Sequence, residues 1–475
     1  MLRRAVSLFV LSACGAFAPA AQAQASVPDA RALYLLAHGH EDAGRSDEAQ
    51  AAWRALACHN RFPVSAPGVV RPKPQDDTVE HWREYVERFR DPRVLAKPTA
   101  ETQYVEIYPD DCEPATAADA SMLPKYLAEA WWHIGNWELE GHDVAGGVVP
   151  DELESVWGLS RAASAYRHAA RFPQSAVYPF ALYKYATTLR RQQRYAAAVR
   201  AYTQLLDAPD EGPMAFREAA LSGLAVALTY PDFEGPRSDA PYIPRPDVLD
   251  VESPAKAEKA LRVAITRVQD AAIVPQDRAW TPALYTRLGD TFTRLGFYAS
   301  LIDTFALVLS KFPLAKEAAT ARLRTAEAEW ALVYTLRAKT SQHRAQSARA
   351  LRAALSLVDV GGESAWAKAN AGNAKIVDAA KADAAAQLRA MFRSELTMAG
   401  HAQQDGDAGK DKRAREEGWS EASAAYLAAS QCIQALLRVA PDARDAAELR
   451  KVEEDARREY EHLQGLLKRP AEVAR

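Results

Sequence analysis

"YTRLGDTFTRLGFYASLIDTFALVLSKFP", Tyr285 to Pro313, decides how the rest of the chain is read. Its apolar residues recur at helical spacing. Tyr285, Leu288-Gly289 and Phe292 fall on one face of a first helix, and Gly296 ends that helix. Tyr298 opens a second helix, from which Leu301 and Phe305 face back toward the first. Pro313 closes the unit, because its ring cannot continue a helix. A residue as small as Gly289 lets the two helices approach closely, and Phe305 fills the space beside it.

The same spacing recurs along the chain. Leu182, Tyr185-Ala186 and Leu189 pair with Tyr195, Ala198 and Tyr202, and Pro209 follows. Trp131 and Ile134-Gly135 supply a first-helix signature, and Ala162, Tyr166 and Pro173 the second, across a longer loop, "EGHDVAGGVVPDE". At the N-terminus, Leu33, Leu36-Ala37 and Gly44 precede Ala49, Trp53 and Pro63. Ala186 and Gly289 lie about three periods of about 34 residues apart. One hairpin cannot bury its own apolar face, whereas stacked hairpins can. The predicted fold is all-α: an α-α solenoid, a superhelix of antiparallel helix pairs with Pro-rich insertions.

The spacing is aromatic, two residues, Leu-Gly, two residues, aromatic, then Ala-x3-Phe and Pro, with Leu301 in the Ala place. It resembles the tetratricopeptide repeat (TPR). The resemblance covers Arg31–Pro63 and Leu123–Trp330, and extends more weakly to the end. "FPQSAVYPFALYKYATTLRRQQRYAAAVRAYTQLL" is similar to repeats of bacterial cell-envelope proteins, among them the outer-membrane assembly lipoprotein and the Tol–Pal coordinator. "FREAALSGLAVALTY" looks like the large envelope repeat proteins of gliding myxobacteria. The resemblance implies an all-helical superhelix that binds other proteins and has no activity of its own. Two departures, Glu138 in an aromatic position and Gln193 in a glycine position, imply distorted hairpins there.

The N-terminus carries an export pattern. Leu2-Arg3-Arg4 is the positive start, Ala5 to Phe17 a short apolar core, and Ala21-Gln22-Ala23 a small-residue cleavage site. "LSACG", Leu11 to Gly15, resembles the lipobox of bacterial lipoproteins, in which Cys14 would carry the lipid. Both readings place the mature chain outside the cytoplasm: in the periplasm, soluble or attached to the outer membrane. Cys58 and Cys112 flank a Pro-rich segment. They either close it with a disulfide, as an oxidising compartment allows, or are two buried thiols. Cys432 lies in an Ala-rich helical run and reads as core.

The expected organisation follows. Residues 1–23 are the signal, and 24–63 an N-terminal hairpin. Residues 64–124 are a Pro-rich insert with one helix around Trp82, Tyr85 and Phe89. Residues 125–340 are the repeat array, with a Pro-rich loop at 231–254. Residues 341–475 are degenerate helices and a cap, with a mobile linker near 400–415. "YVEIYP", Tyr104 to Pro109, is the one strand-like stretch, and without a partner it reads as an extended loop.

The chemistry is sparse. The chain has 475 residues and a formal net charge of −3, with acids interspersed among its bases. That is not the footprint of a nucleic-acid binder. No HExxH, G-x-S-x-G, P-loop or CxxC occurs, so neither catalytic residues nor a cofactor is expected. His38 and His40, two apart on a helix, point to different faces and are not expected to share a metal. His133, Glu140 and His142 flank a loop and read as surface residues. Asp405, Asp407 and Glu416 echo a calcium loop, but Lys410 stands where its turn needs glycine.

Binding surface remains. The resemblance puts the concave wall on the first helices, where Trp132, Asn136, Tyr183, Thr187, Arg190, Thr286, Asp290 and Thr293 face away from the packing positions. This mixture suits a peptide groove. Tyr242-Ile243-Pro244 in the long loop is a second contact candidate. The expectation is a non-enzymatic scaffold for envelope proteins. It would touch a membrane only through an N-terminal lipid. The alternative is an accessory protein that binds glycan or peptidoglycan.

Overall fold

The computed structural model describes residues 29–58, 112–139, 151–208, 214–230, 233, 253–336 and 341–468. The signal with Cys14, the helix around Trp82, the Tyr104–Pro109 stretch, Tyr242-Ile243-Pro244, Glu140 and His142 lie outside these residues.

The fold is all-α. Among the described residues the β pairing is one isolated bridge, between Asp29 and Thr116. Hairpins follow one another: α1 (Ala30–Asp42) with α2 (Ser46–Ala57), α3 (Leu123–Leu139) with α4 (Asp151–Ala169), and α5 (Tyr178–Arg191) with α6 (Tyr195–Asp207). Next come α7 (Met214–Thr229) with α8 (Pro254–Gln269), α9 (Thr281–Leu295) with α10 (Tyr298–Lys311), and α11 (Glu317–Thr335) with α12 (Ser341–Leu355). A 3-10 turn (Ser356–Val360) and short α13 (Ala365–Ala369) lead to a longer pair, α14 (Ala374–Asp407) and α15 (Lys412–Val439), and to a last helix, α16 (Ala446–Lys468). From α1 to α12, and again from α14 to α16, each helix packs on the next, the arrangement of a helical-repeat solenoid.

Three hairpins share one turn. Gly44, Gln193 and Gly296 adopt φ of 69°, 62° and 76° between their helices. In each, the next residue's N–H bonds a carbonyl five residues back: Arg45 to His40, Arg194 to Leu189, and Phe297 to Phe292. Left-handed backbone suits glycine and strains other residues. Gln193 nevertheless makes the turn, so that hairpin keeps the geometry of its neighbours.

The interior follows the small-large rule. A Cβ on Gly289 would lie 2.5 Å from Phe305 Cζ, and one on Gly135 2.5 Å from Tyr166 Cε1. Only glycine admits these rings. Leu284, Tyr285, Leu288 and Phe292 of α9, with Leu301, Phe305 and Val308 of α10, belong to a core that continues from α5 to α11. Leu33 and Ala37 of α1 are buried, but Leu36 is 44% exposed, because no earlier described hairpin covers it.

Glu138 does not disturb its hairpin. Its buried carboxylate accepts from Arg54 of α2 at 2.7 Å and Arg161 of α4 at 3.4 Å. An ion pair across two hairpins fills the place of an aromatic ring.

The described residues on either side of the insert meet. Cys58 and Cys112 are joined by a disulfide with their Cα atoms 4.8 Å apart. The segment after Cys112 bonds onto the first hairpin, Ala115 N–H to the Leu56 carbonyl and Ala30 N–H to the Thr116 carbonyl. Helix α2 therefore packs directly on α3. Phe233, after α7, is pinned as well, since Arg267 lies over its ring and Ala196 N–H bonds its carbonyl.

The expected linker near 400–415 is corrected. Helix α14 runs through Asp407, and α15 begins at Lys412. Gly406 and Gly418 serve close approach rather than mobility. Gly418 abuts the Gly406 backbone, and a Cβ on Gly406 would strike the Trp419 ring. Trp419 Nε1 donates to Asp407 at 2.8 Å, and Asp411 caps α15 through Ala414 N–H.

Candidate interaction face on the first helices

From α5 to α11 every first helix touches the next first helix, as α1 touches α3. Helices that crowd together in this way line the inner side of a curved stack. Their outward residues are the surface an extended partner would meet.

An aromatic ladder runs across this side. Trp132 of α3 meets Phe180 of α5 edge-on, with ring centroids 6.0 Å apart. Phe180 meets Phe216 of α7 at 4.6 Å. Phe216 meets Tyr183 of α5 at 5.6 Å. All four side chains are half-buried. Edge-to-face rings at these distances hold each other in place. The ladder therefore presents a preformed apolar strip across three successive hairpins.

Two expected residues, Trp132 and Tyr183, stand in this ladder. Phe180 and Phe216 were not anticipated. Phe180 precedes Tyr183 by three residues, which puts both on one helical face. Phe216 opens α7 at the level of both rings.

The polar residues are engaged within the fold. Tyr166 donates its hydroxyl to Asn136 Oδ1 at 2.8 Å, and the Tyr202 and Thr187 hydroxyls lie 3.1 Å apart. These contacts occupy equivalent places in successive hairpins: a second-helix tyrosine reaches the first-helix residue after the small one. Burial raises the Tyr202 pKa, while Thr187 and Arg190 beside its hydroxyl act in the opposite direction. Thr286 and Thr293 bond back to the carbonyls of Pro282 and Gly289 in their own helix. Asp290 has a phenylalanine, Phe305, opposite its hairpin position and faces Arg324 of α11 at 3.9 Å. Burial raises its pKa, and Arg324, Arg287 and Arg294 hold it back. Arg287 also bridges to Glu218 of α7 at 2.6 Å. The inner side thus changes from aromatic on α3–α7 to charged on α9–α11.

A second polar cluster joins the first two hairpins. Glu41 accepts from Trp53 Nε1 at 2.9 Å and lies 2.8 Å from His133 Nδ1. His133 stacks on Trp53, with centroids 4.5 Å apart. Tyr34 donates to Glu129 at 2.5 Å, and His38 sits 3.6 Å from the same carboxylate. Burial pulls the His133 pKa down, and Glu41 opposes it. His40 takes no part; it accepts from Arg45. Among the described residues no group of three or more His, Cys, Asp or Glu is placed to hold a metal ion. Likewise, none of the described helices is long and apolar enough to cross a membrane.

No protein-family model matches this chain, and no curated protein matches it.

Proposed function

We propose that this chain is a non-enzymatic tetratricopeptide-repeat scaffold of the bacterial cell envelope, exported to the periplasm and either soluble or held at the outer membrane. It works by docking segments of envelope proteins along its first helices. The observation that carries this reading is the ladder Trp132–Phe180–Phe216–Tyr183. A row of fixed, half-buried rings spanning several repeats offers apolar anchors at low entropic cost, as interface hot spots do. The charged stretch on α9–α11 gives such a segment a polar end to pair with. The Cys58–Cys112 disulfide fits an oxidising compartment.

The test is recovery of the protein from the crosslinked native envelope, with and without ladder substitutions. Phe180→Ala and Phe216→Ala are expected to lower recovery of a dominant protein partner by about tenfold or more, the effect of losing one hot-spot ring. Arg200→Ala and Asp303→Ala, on exposed positions of second helices, are expected to leave it unchanged. Glycan binding would use the same rings. Retention on insoluble peptidoglycan without any protein present, and no protein partner in the crosslinked sample, would replace the scaffold reading with that one.

A further inference from the structure

A cleft of about 1090 Å³ opens between α12, α14 and α15, with Leu467 of α16 at its edge. It lies outside the aromatic ladder and involves other helices. Its lining includes Leu351, Met398, Leu427, Ala424 and Ala428. Among these apolar groups stands one carboxyl, Glu395 of α14, only 6% exposed.

Glu395 has no hydrogen-bond or ion-pair partner among the described residues. The two arginines of the cleft are committed elsewhere: Arg344 faces Glu421 at 3.9 Å, and Arg413 pairs with Glu417 at 2.9 Å. Burial alone pushes the Glu395 carboxyl up to about 7. A carboxylate buried with no cation is costly, so the group holds its proton until a cation reaches it through the cleft. Elsewhere in this chain the buried Glu138 has two arginines. The contrast marks Glu395 as a group awaiting its counter-charge from outside.

The shape of the cleft limits what can supply it. The lining beside Glu395 is largely aliphatic; it contains no Phe, Tyr or Trp, and its only rings are the imidazoles of His343 and His401. The lining carries five acids, Glu395, Asp405, Glu416, Glu417 and Glu421, against the arginines Arg344 and Arg413, with Lys412 bridging Glu416 at 3.8 Å, so the field favours a cation. The volume is that of a small-molecule pocket. We propose that this cleft binds a small amphiphilic cation: a primary ammonium group that pairs with Glu395, on an unbranched apolar stem that lies along Leu351, Met398 and Leu427.

The probe is n-octylamine, titrated calorimetrically into the full-length protein at neutral pH, beside n-octanol and n-octanoate. Octylammonium is expected to bind saturably at one site, at least tenfold more tightly than either control. Glu395→Gln keeps the shape and removes the charge; it is expected to lose that preference while retaining the helical melting transition. Among butyl-, hexyl- and octylamine, affinity is expected to rise about threefold or more per added methylene, as stem burial requires. The proposal is overturned if octanol or octanoate binds as tightly. It is also overturned if Glu395→Gln, still folded, binds octylammonium unchanged, or if only lysine-containing peptides bind and no free amine does.

Discussion

Gly289 lies flat against the ring of Phe305, so near that a methyl group on its Cα would sit 2.5 Å from Cζ. Helix propensity alone favours alanine over glycine by about 1 kcal/mol. Overlap with a packed ring costs about 1–3 kcal/mol. Overlap decides the sign at Gly289. Gly289→Ala is expected to lower the stability of the α9–α10 hairpin, and Phe305→Leu to restore part of the loss in a double-mutant cycle read by denaturant melts. Gly465 in α16 has no atom within 4 Å of an added Cβ, so Gly465→Ala is expected to stabilise by about 0.5–1 kcal/mol.

Gly296 isolates backbone strain from packing. Its φ is 76° and nothing lies within 4 Å of an added Cβ. Gly296→Ala is expected to cost about 1–2 kcal/mol through the left-handed conformation alone. Hydrogen exchange should show the loss concentrated in α9 and α10. An unchanged exchange pattern would mean that this turn does not hold the hairpin.

Glu138 binds two arginines from two different helices. Removing one partner of a buried ion pair strands the others, at a cost of about 3–5 kcal/mol. Glu138→Ala is therefore expected to loosen the junction of α2, α3 and α4 strongly. Glu417→Ala, which breaks an exposed pair with Arg413, is expected to give no measurable change. Thermal melts of the two variants check the difference.

The disulfide closes a separation of 54 residues. In the chain-entropy account such a loop contributes about 3–4 kcal/mol. Reduction is expected to lower the melting temperature and to expose the N-terminal hairpin to protease first. Cys432 will not confuse a thiol titration of the native protein: it is fully buried, and burial and Glu395 push its thiol up to about 12.

Glu395 makes a pH prediction with a definite sign. Its folded pKa of about 7 is above the ordinary carboxyl value. The group therefore favours folding most below the ordinary carboxyl range, and its contribution is lost as pH rises through about 7. Glu395→Gln is expected to be more stable than the parent at pH 8 and to differ little at pH 4. His343 and His401 also face the cleft and stay in both proteins, so the difference between the two curves belongs to Glu395. Equal curves at every pH would show that Glu395 is not buried unpaired.

The hairpins were legible in the sequence because their interior depends on one spacing. Tyr285, Gly289 and Phe305, or Ile134, Gly135 and Tyr166, identify a helix pair whichever surface they present. The tertiary role of glycine was not legible. Gly406 read as a linker residue because local composition cannot distinguish a loop from two helices touching backbone to backbone. Glu138 read as a defect because its partners lie on two other helices, one of them beyond a long insert. The face residues were legible in part. Trp132 and Tyr183 follow from their positions in the repeat. Phe180 and Phe216 become neighbours only when α5 stacks on α7, and the tyrosines that occupy Asn136 and Thr187 come from the second helices.

The most direct test of the account places a photo-crosslinking phenylalanine analogue at Phe180 or at Phe216 in living cells, with Arg200 on the outer helix as the comparison. Illumination followed by recovery of the protein reads out what lies against the ladder. The account predicts the same dominant envelope-protein adduct from both ladder positions and none from Arg200. No protein adduct from either ladder position, or equal adducts from Arg200, would contradict it.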